Sequence, residues 1–232
     1  MNPVIKKLLV LPLVAMLGAT SLRANDSNTP RSELVVRVET CEAIAREFMA
    51  NPATAIPQGV WQRARAVMIL SQFKAGFIFG IKGGYGVIMV KKPNGHWSLP
   101  VLIDASEASL GFQIGAKTVD TICILTDDAT PRLLFTSRFN IGVDAKAVAG
   151  PSSAEYENNA KNTFIAPVIV YSRSVGLYAG ATVKAGHVQR NDIANFTLYN
   201  TSYTMPELLY SDWVTAPSEV QPLMAYVQQL AP

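Results

Sequence analysis

Cysteine and histidine are nearly absent from this chain, which holds two of each in 232 residues. His96 and His187 cannot make a three-histidine zinc site, and no H-x-x-x-H or C-x-x-C spacing occurs. Each histidine lies in or beside an expected turn, Asn94-Gly95 or Ala185-Gly186, where exposed histidines commonly sit. Cys41 and Cys123 stand among apolar residues. In an exported chain they are a candidate disulfide, and buried free thiols are the alternative. Long apolar runs are missing too. Leu8 to Ala19, broken by Pro12, is too short to span a membrane. Lys6-Lys7 before it and small residues up to Ala19 or Ala24 after it make it read as a secretory signal. The expected division is residues 1–24 as signal, 25–32 as polar leader and 33–232 as one domain, periplasmic or secreted. No linker, fixed-period repeat or low-complexity block divides that domain.

Net charge is also lacking once the leader is set aside. Lys6, Lys7 and Arg23 go with it and no acid does, so the formal charge falls from +3 to zero. A neutral domain has no electrostatic support for nonspecific nucleic-acid binding. Attraction to an anionic surface has to come from local clusters of basic residues.

Catalytic signatures are absent or incomplete. Ser71-Gln-Phe-Lys74 has the S-x-x-K spacing of penicillin-recognising enzymes, but it sits in a strand-like run and lacks the partner motifs. Asp104 or Asp144 could complete a Ser–His–Asp set, yet nothing marks a nucleophile elbow. Glycines 80–86 miss both phosphate-loop spacings, and Asp127-Asp128 reads as a turn. No catalytic residue, metal site or cofactor is expected.

What is present is concentrated in residues 74–100, KAGFIFGIKGGYGVIMVKKPNGHWSLP, which carry six of the fifteen glycines. Asn94-Gly95 is a strong hairpin signal and Gly83-Gly84 a second candidate two-residue turn. Together they predict a three-stranded meander over 75–82, 85–92 and 97–103. Period-two alternation puts Phe77, Phe79, Ile81, Ile88 and Val90 on a core face. The other face carries Lys74, Gly76, Ile78, Gly80, Lys82, Tyr85, Val87, Met89 and Lys91. Gly76, Gly80, Gly83, Gly84 and Gly86 are the structural glycines. Repeated glycines in strands mark a bend, a ligand, or close approach of another backbone, here expected from a packed helix or loop.

Elsewhere, Leu34, Val38, Cys41, Ala45 and Phe48 recur at helical spacing, and Asn51-Pro52 ends that helix. Its polar face mixes Arg31, Arg37 and Arg46 with Glu33, Glu39, Glu42 and Glu47, which suits a helix docked on the domain better than one lying on a membrane. A short helix follows Ile56-Pro57, and Val67 to Phe73 reads as a strand. Strands are predicted at Leu110 to Ala116, Val119 to Leu125, Ile141 to Val148, Phe164 to Tyr171 and Leu177 to Lys184. A short helix is expected over Pro131 to Ser137, a polar loop over 152–162 and a turn over Ser172 to Gly176. Thr204-Met-Pro-Glu207 is a capping-box pattern, and Ser218 to Leu230 is amphipathic. The fold class is α+β: a twisted antiparallel sheet, closing in part into a barrel, with helices at both ends of the chain.

Nine short motifs follow one another as in one family. They are Ile56-Pro57, Ala64-Arg65, Lys74-Ala-Gly-Phe77, Gly83-Gly-Tyr-Gly-Val87, Trp97-Ser-Leu-Pro100, Gly111-Phe-Gln-Ile-Gly115, Ala149-Gly-Pro151, Tyr171-Ser-Arg173 and Gly176-Leu-Tyr-Ala-Gly180. In this order and spacing the chain, from about residue 33 onward, resembles the SYLF domain family. The resemblance implies lipid binding without catalysis. Some eukaryotic members bind phosphoinositides and associate with actin, and short single-domain members are exported. This chain differs in that residues 31–50 are not net basic and Val175 stands where a basic residue is common. The expected function is an exported lipid-binding module at a membrane surface or in the cell envelope. Lys74, Lys82, Lys91, Lys92, Arg173 and Tyr85 are the candidate lipid contacts. The alternative is an envelope module that docks a protein partner on an exposed sheet face.

Overall fold

The computed structural model describes residues 28–136, 138–141, 144–151, 166–175 and 187–232; within its strands it describes side chains outside 74–82, 106–117, 138 and 174–175. The signal, most of the polar leader, the 152–162 run and the strand expected at 177–184 lie outside the described residues.

Two long strands organise the fold. β1 spans Ala66–Val90 and β2 spans Val101–Leu125, paired antiparallel from Ala66↔Leu125 to Ile88↔Val101, with a register shift between Phe77 and Phe79. The other strands among the described residues are short: β3 (Arg138–Asn140), β4 (Ala147–Ala149), β5 (Val168–Val175) and β6 (His187–Arg190). β5 pairs with β2 over 118–125 and β6 pairs with β2 over 103–106, so both extend the same edge of β2. β3 then joins β6 and β4 joins β5. These six strands form one curled sheet. It is mixed rather than purely antiparallel, because β4 runs parallel to β5.

The curl comes from β1 folding back over itself. The Lys91 N–H donates to the Arg65 carbonyl at 2.8 Å, so the two ends of the 25-residue strand meet. Between those ends the arms press together. A Cβ on Gly84 would lie 2.3 Å from the Ser71 carbonyl oxygen, and one on Gly86 would lie 2.3 Å from that of Ile69. Only glycine permits so close an approach.

That geometry overturns the meander. Gly83 and Gly84 are not a turn: they stay extended in β1, opposite Ser106 and Ala105. Two glycines in sequence suit a tight turn, but here the second is required by the crossing of the arms. The strands expected at 75–82 and 85–92 are one strand, and the one expected at 97–103 is the start of β2. Val87 and Met89 are as buried as Ile88 and Val90, so neither face of that segment is open. Gly76 and Gly80 pair with Gly115 and Ser109, but what lies above them falls outside the described side chains.

The Asn94-Gly95 turn is present, with Gly95 at φ +83° and its N–H donating to Lys92 O at 2.9 Å. β2 absorbs both strands expected between 110 and 125, and residues 119–125 are buried as their continuous apolarity requires. Ser172 to Val175 continue β5 instead of turning. No continuous strand covers 141–148: its described residues hold an Ile141–Ala145 bridge and the start of β4, with β3 ending just before them, and a 3-10 helix covers Thr130–Phe135.

Helix α1 spans Arg31–Ala50 and buries Leu34, Val38, Cys41, Ala45 and Phe48, the residues its spacing selected. It lies over the crossing of the β1 arms, where the Cys41 thiol donates to Ile69 O at 3.5 Å. α2 (Gln58–Trp61) follows Pro57 and carries the fully buried Trp61. The cysteines are not bridged. Cys41 and Cys123 are both free and buried, and desolvation pushes each thiol up to about 12.

Three helices close the chain. α3 (Asp192–Tyr199), which no spacing signal had marked, is capped by the Asn191 side chain accepting from the Ala194 N–H at 3.0 Å. Its Asn195 is fully buried and bonds both Leu102 N–H and Leu102 O, locking the helix to β2. α4 (Met205–Tyr210) begins where Glu207 accepts from the Thr204 N–H at 2.7 Å, as the capping-box pattern predicts. α5 (Gln221–Leu230) packs near α1, where Arg46 stacks on Tyr226 at 4.2 Å.

Candidate functional site

The six candidate contacts do not share one environment. Lys74 and Lys82 are placed only by register, opposite Lys117 and Glu107. Tyr85 is half-buried beneath the Arg37 guanidinium, 5.3 Å from its ring centre. Arg173 reaches inward from β5. It pairs with Asp120 at 3.1 Å and with Glu47 of α1, and it lies over the Phe48 ring. The Asp120 side chain is only 7% exposed. Burial pushes its carboxyl above the ordinary range, and the Arg173 hydrogen bond and charge pull it back only in part. Ser71 of the S-x-x-K run faces the same acid, its hydroxyl donating to Asp120 at 3.5 Å. Arg173 therefore joins β5, β2 and α1 as an internal clasp.

Lys91 and Lys92 follow β1 directly, where its two ends meet beside Arg65, and Ser71 lies six strand residues beyond Arg65, about 20 Å along the strand. They open the β1–β2 turn, which is closed by Lys92 N–H to His96 O at 2.8 Å and His96 N–H to Asn94 Oδ1 at 3.0 Å. The C-terminal segment wraps this turn. Trp97 Nε1 donates to Ala231 O at 2.9 Å, Gln228 Nε2 to Gly95 O at 3.3 Å, and Lys91 Nζ to Pro232 O. Lys92 Nζ donates to Ser211 O at 2.8 Å and to Asp212 Oδ1 at 2.5 Å. The hydrogen bond from Lys92 and its charge hold the Asp212 carboxyl below the ordinary range, with a smaller contribution from His96.

Beside Asp212 stands Trp213, 65% exposed and the most exposed large hydrophobic side chain among the described residues. Its ring lies 5.1 Å from that of Tyr203, tilted by 52°. The β1–β2 turn and the 211–214 segment thus build one surface: two lysines, a histidine and an aromatic pair, with one exposed acid. An aromatic ring pair beside cations suits a ligand with an apolar body and an anionic group. Sequence reasoning found the lysines and missed the tryptophan, which sits in SDWVTAP, a segment with no periodicity to mark it.

Among the described residues, no group of three His, Cys, Asp or Glu side chains converges as a metal site, and no helix is long and apolar enough to cross a membrane.

The family model described as "Ysc84: Las17-binding protein actin regulator" matches residues 106–230. The chain is 32% identical over 179 residues to "LAS seventeen-binding protein 3" of Saccharomyces cerevisiae, covering 76% of this chain and 39% of that protein. It is 28% identical over 203 residues to "SH3 domain-containing YSC84-like protein 1" of Bos taurus, covering 85% of this chain and 59% of that one. Against "Protein YSC84" of Saccharomyces cerevisiae the identity is 30%, over 76% and 38% of the two chains. The chain thus spans between about two fifths and three fifths of the length of these relatives. No solved structure matches. The match covers more than half of the chain and includes four of the nine SYLF-type motifs, and it establishes that this protein belongs to the Ysc84, or SYLF, family.

Proposed function

We propose that the domain is a non-catalytic lipid-binding module that engages anionic membrane surfaces through the β1–β2 turn and the Trp213 segment. The observation that carries the reading is Trp213, 65% exposed beside Lys92 and its turn. Tryptophan settles at membrane–water interfaces because its ring is apolar and its N–H is polar. Each basic residue near an anionic surface adds about 1 kcal/mol of attraction. The same proposal sets this activity outside the cytoplasm, in the periplasm or after secretion, a reading supported by the Lys6-Lys7 and Leu8 to Ala19 pattern.

The test is flotation of the purified protein with phosphatidylcholine vesicles, with and without phosphatidic acid. Flotation on the anionic vesicles, weakened severalfold by Trp213→Ala, is the expected result. Protein that stays at the bottom of the gradient with both vesicle types would refute surface binding.

A second reading has its own support. Arg173 and Lys92 are neutralised within the chain, which weakens the case for a lysine-steered surface. Relatives of this chain are named for binding Las17, a protein. On this reading Trp213 and Tyr203 anchor a protein partner, since tryptophan, tyrosine and arginine dominate such interfaces. A protein that ignores vesicles of both kinds but is cross-linked to a protein through Trp213→Cys would establish it.

A further inference from the structure

The Lys92–Asp212 pair is lopsided in a way that bears on what this surface binds. The lysine side chain is 10% exposed and the aspartate side chain 80% exposed. Lys92 is held from below as well, because Ser211 O accepts from the same ammonium at 2.8 Å. The cation is therefore the fixed, largely desolvated member. The acid is the solvent-facing one: it sits on an irregular segment, is exposed over most of its side chain, and gains little from an exposed pair. His96 of the turn adds positive potential at the Asp212 carboxyl when charged. The next residue, Trp213, packs its exposed ring on Tyr203.

We infer that Asp212 is an internal stand-in for the anionic group of a ligand, and that Lys92 is a phosphate-binding site entered by exchange with that carboxylate. A phosphate carries more charge than a carboxylate and presents three acceptor oxygens, so it can take the ammonium from Asp212 and still reach the neighbouring cations. The exposed rings supply the apolar side of the site. Phosphate chemistry can come from a lipid headgroup or from a free phosphate. This inference deepens the lipid-surface reading in its first form and stands without it in the second.

The exchange makes a counterintuitive prediction: removing an acid strengthens binding, and only through Lys92. The full-length protein, its Asp212→Asn variant, the Lys92→Gln variant and the double variant are compared with two probes. One is flotation on phosphatidylcholine vesicles containing phosphatidic acid. The other is inorganic phosphate, followed by the indole N–H resonance of Trp213, identified by its loss in Trp213→Phe. Asp212→Asn is expected to raise affinity for both probes by about fivefold, the equivalent of one charge at an anionic surface. Lys92→Gln should fall below the parent protein, and the double variant should lose the gain, while Lys92→Arg keeps binding and so separates charge from folding.

A gain with inorganic phosphate but no flotation leaves the exchange standing and removes the lipid source. The inference is overturned if Asp212→Asn matches the parent with both probes. It is overturned equally if the double variant keeps the gain, or if flotation gains and inorganic phosphate does not, because the effect is then general surface charge.

Discussion

Two ion pairs, one in the seam beside Ser71 and one at the turn where the ends of β1 meet, behave differently because of what is buried. In the Arg173–Asp120 pair the acid is 7% exposed and the arginine 23%, and both lie in the closed seam where α1 covers the crossing strands. In the Lys92–Asp212 pair the cation is 10% exposed and the acid 80%. Arg173 cannot leave the first pair without stranding Asp120 in a dry environment. The second can trade its acid for a solvent-borne anion. One basic residue is thus a structural rivet and the other a candidate binding group, although both belong to the same set of candidate contacts.

The comparison breaks first at Arg173. Replacing it with methionine should cost about 3 kcal/mol at neutral pH, because Asp120 is left buried and uncompensated. Urea unfolding measures this directly. The pH dependence has a definite sign. A carboxyl whose pKa is raised by folding binds its proton more tightly in the folded state. Its contribution to stability is therefore fully present below the unfolded pKa, near 4, and is lost as pH rises through the folded value. Arg173→Met should recover part of its stability on acidification, and a flat profile would mean that Asp120 finds another partner.

Glu219, paired with Arg31 at 2.8 Å, provides the opposite sign. Its pKa is lowered to about 2, chiefly by the Arg31 hydrogen bond. Its contribution is present above the unfolded pKa and disappears as pH falls towards 2. Glu219→Gln should remove that contribution from the neutral range and flatten the acid limb.

The seam itself is probed by two glycines three positions apart. Gly86→Ala should cost about 2 kcal/mol, because the new Cβ would meet Ile69 O at 2.3 Å and a Leu70 methyl at 2.6 Å. Gly83→Ala, with nothing within 4 Å of its Cβ, should stay within about 0.5 kcal/mol of the parent protein. Equal effects at the two sites would argue against the folded-back strand. The smallest effect is expected at the rim. Asp212→Asn should leave the unfolding midpoint unchanged within error, and a marked loss would make that pair structural like its counterpart.

Much of the fold was legible because local chemistry dictated it. Apolar residues three and four apart made α1, Asn94-Gly95 made the turn, and Thr204 with Glu207 started α4. The failures share one cause, which is that glycines and charges answer to distant partners. Gly83-Gly84 has the composition of a hairpin turn, and only the opposing arm thirteen residues earlier shows why Gly84 is there. Tryptophans cannot be sorted by type either: Trp61 and Trp97 are 0% and 4% exposed, while Trp213 is 65% exposed.

Sequence alone therefore determined the α+β class, the helices and turn with local signals, the SYLF-type motifs and which residues could carry positive charge. Tertiary structure decided whether each of those charges was available. Lys92 meets Asp212 across 120 positions and Arg173 meets Glu47 across 126, separations at which no periodicity or spacing carries information. The curl of β1 brings these partners together, and it depends on two strand glycines that let one backbone lie against another.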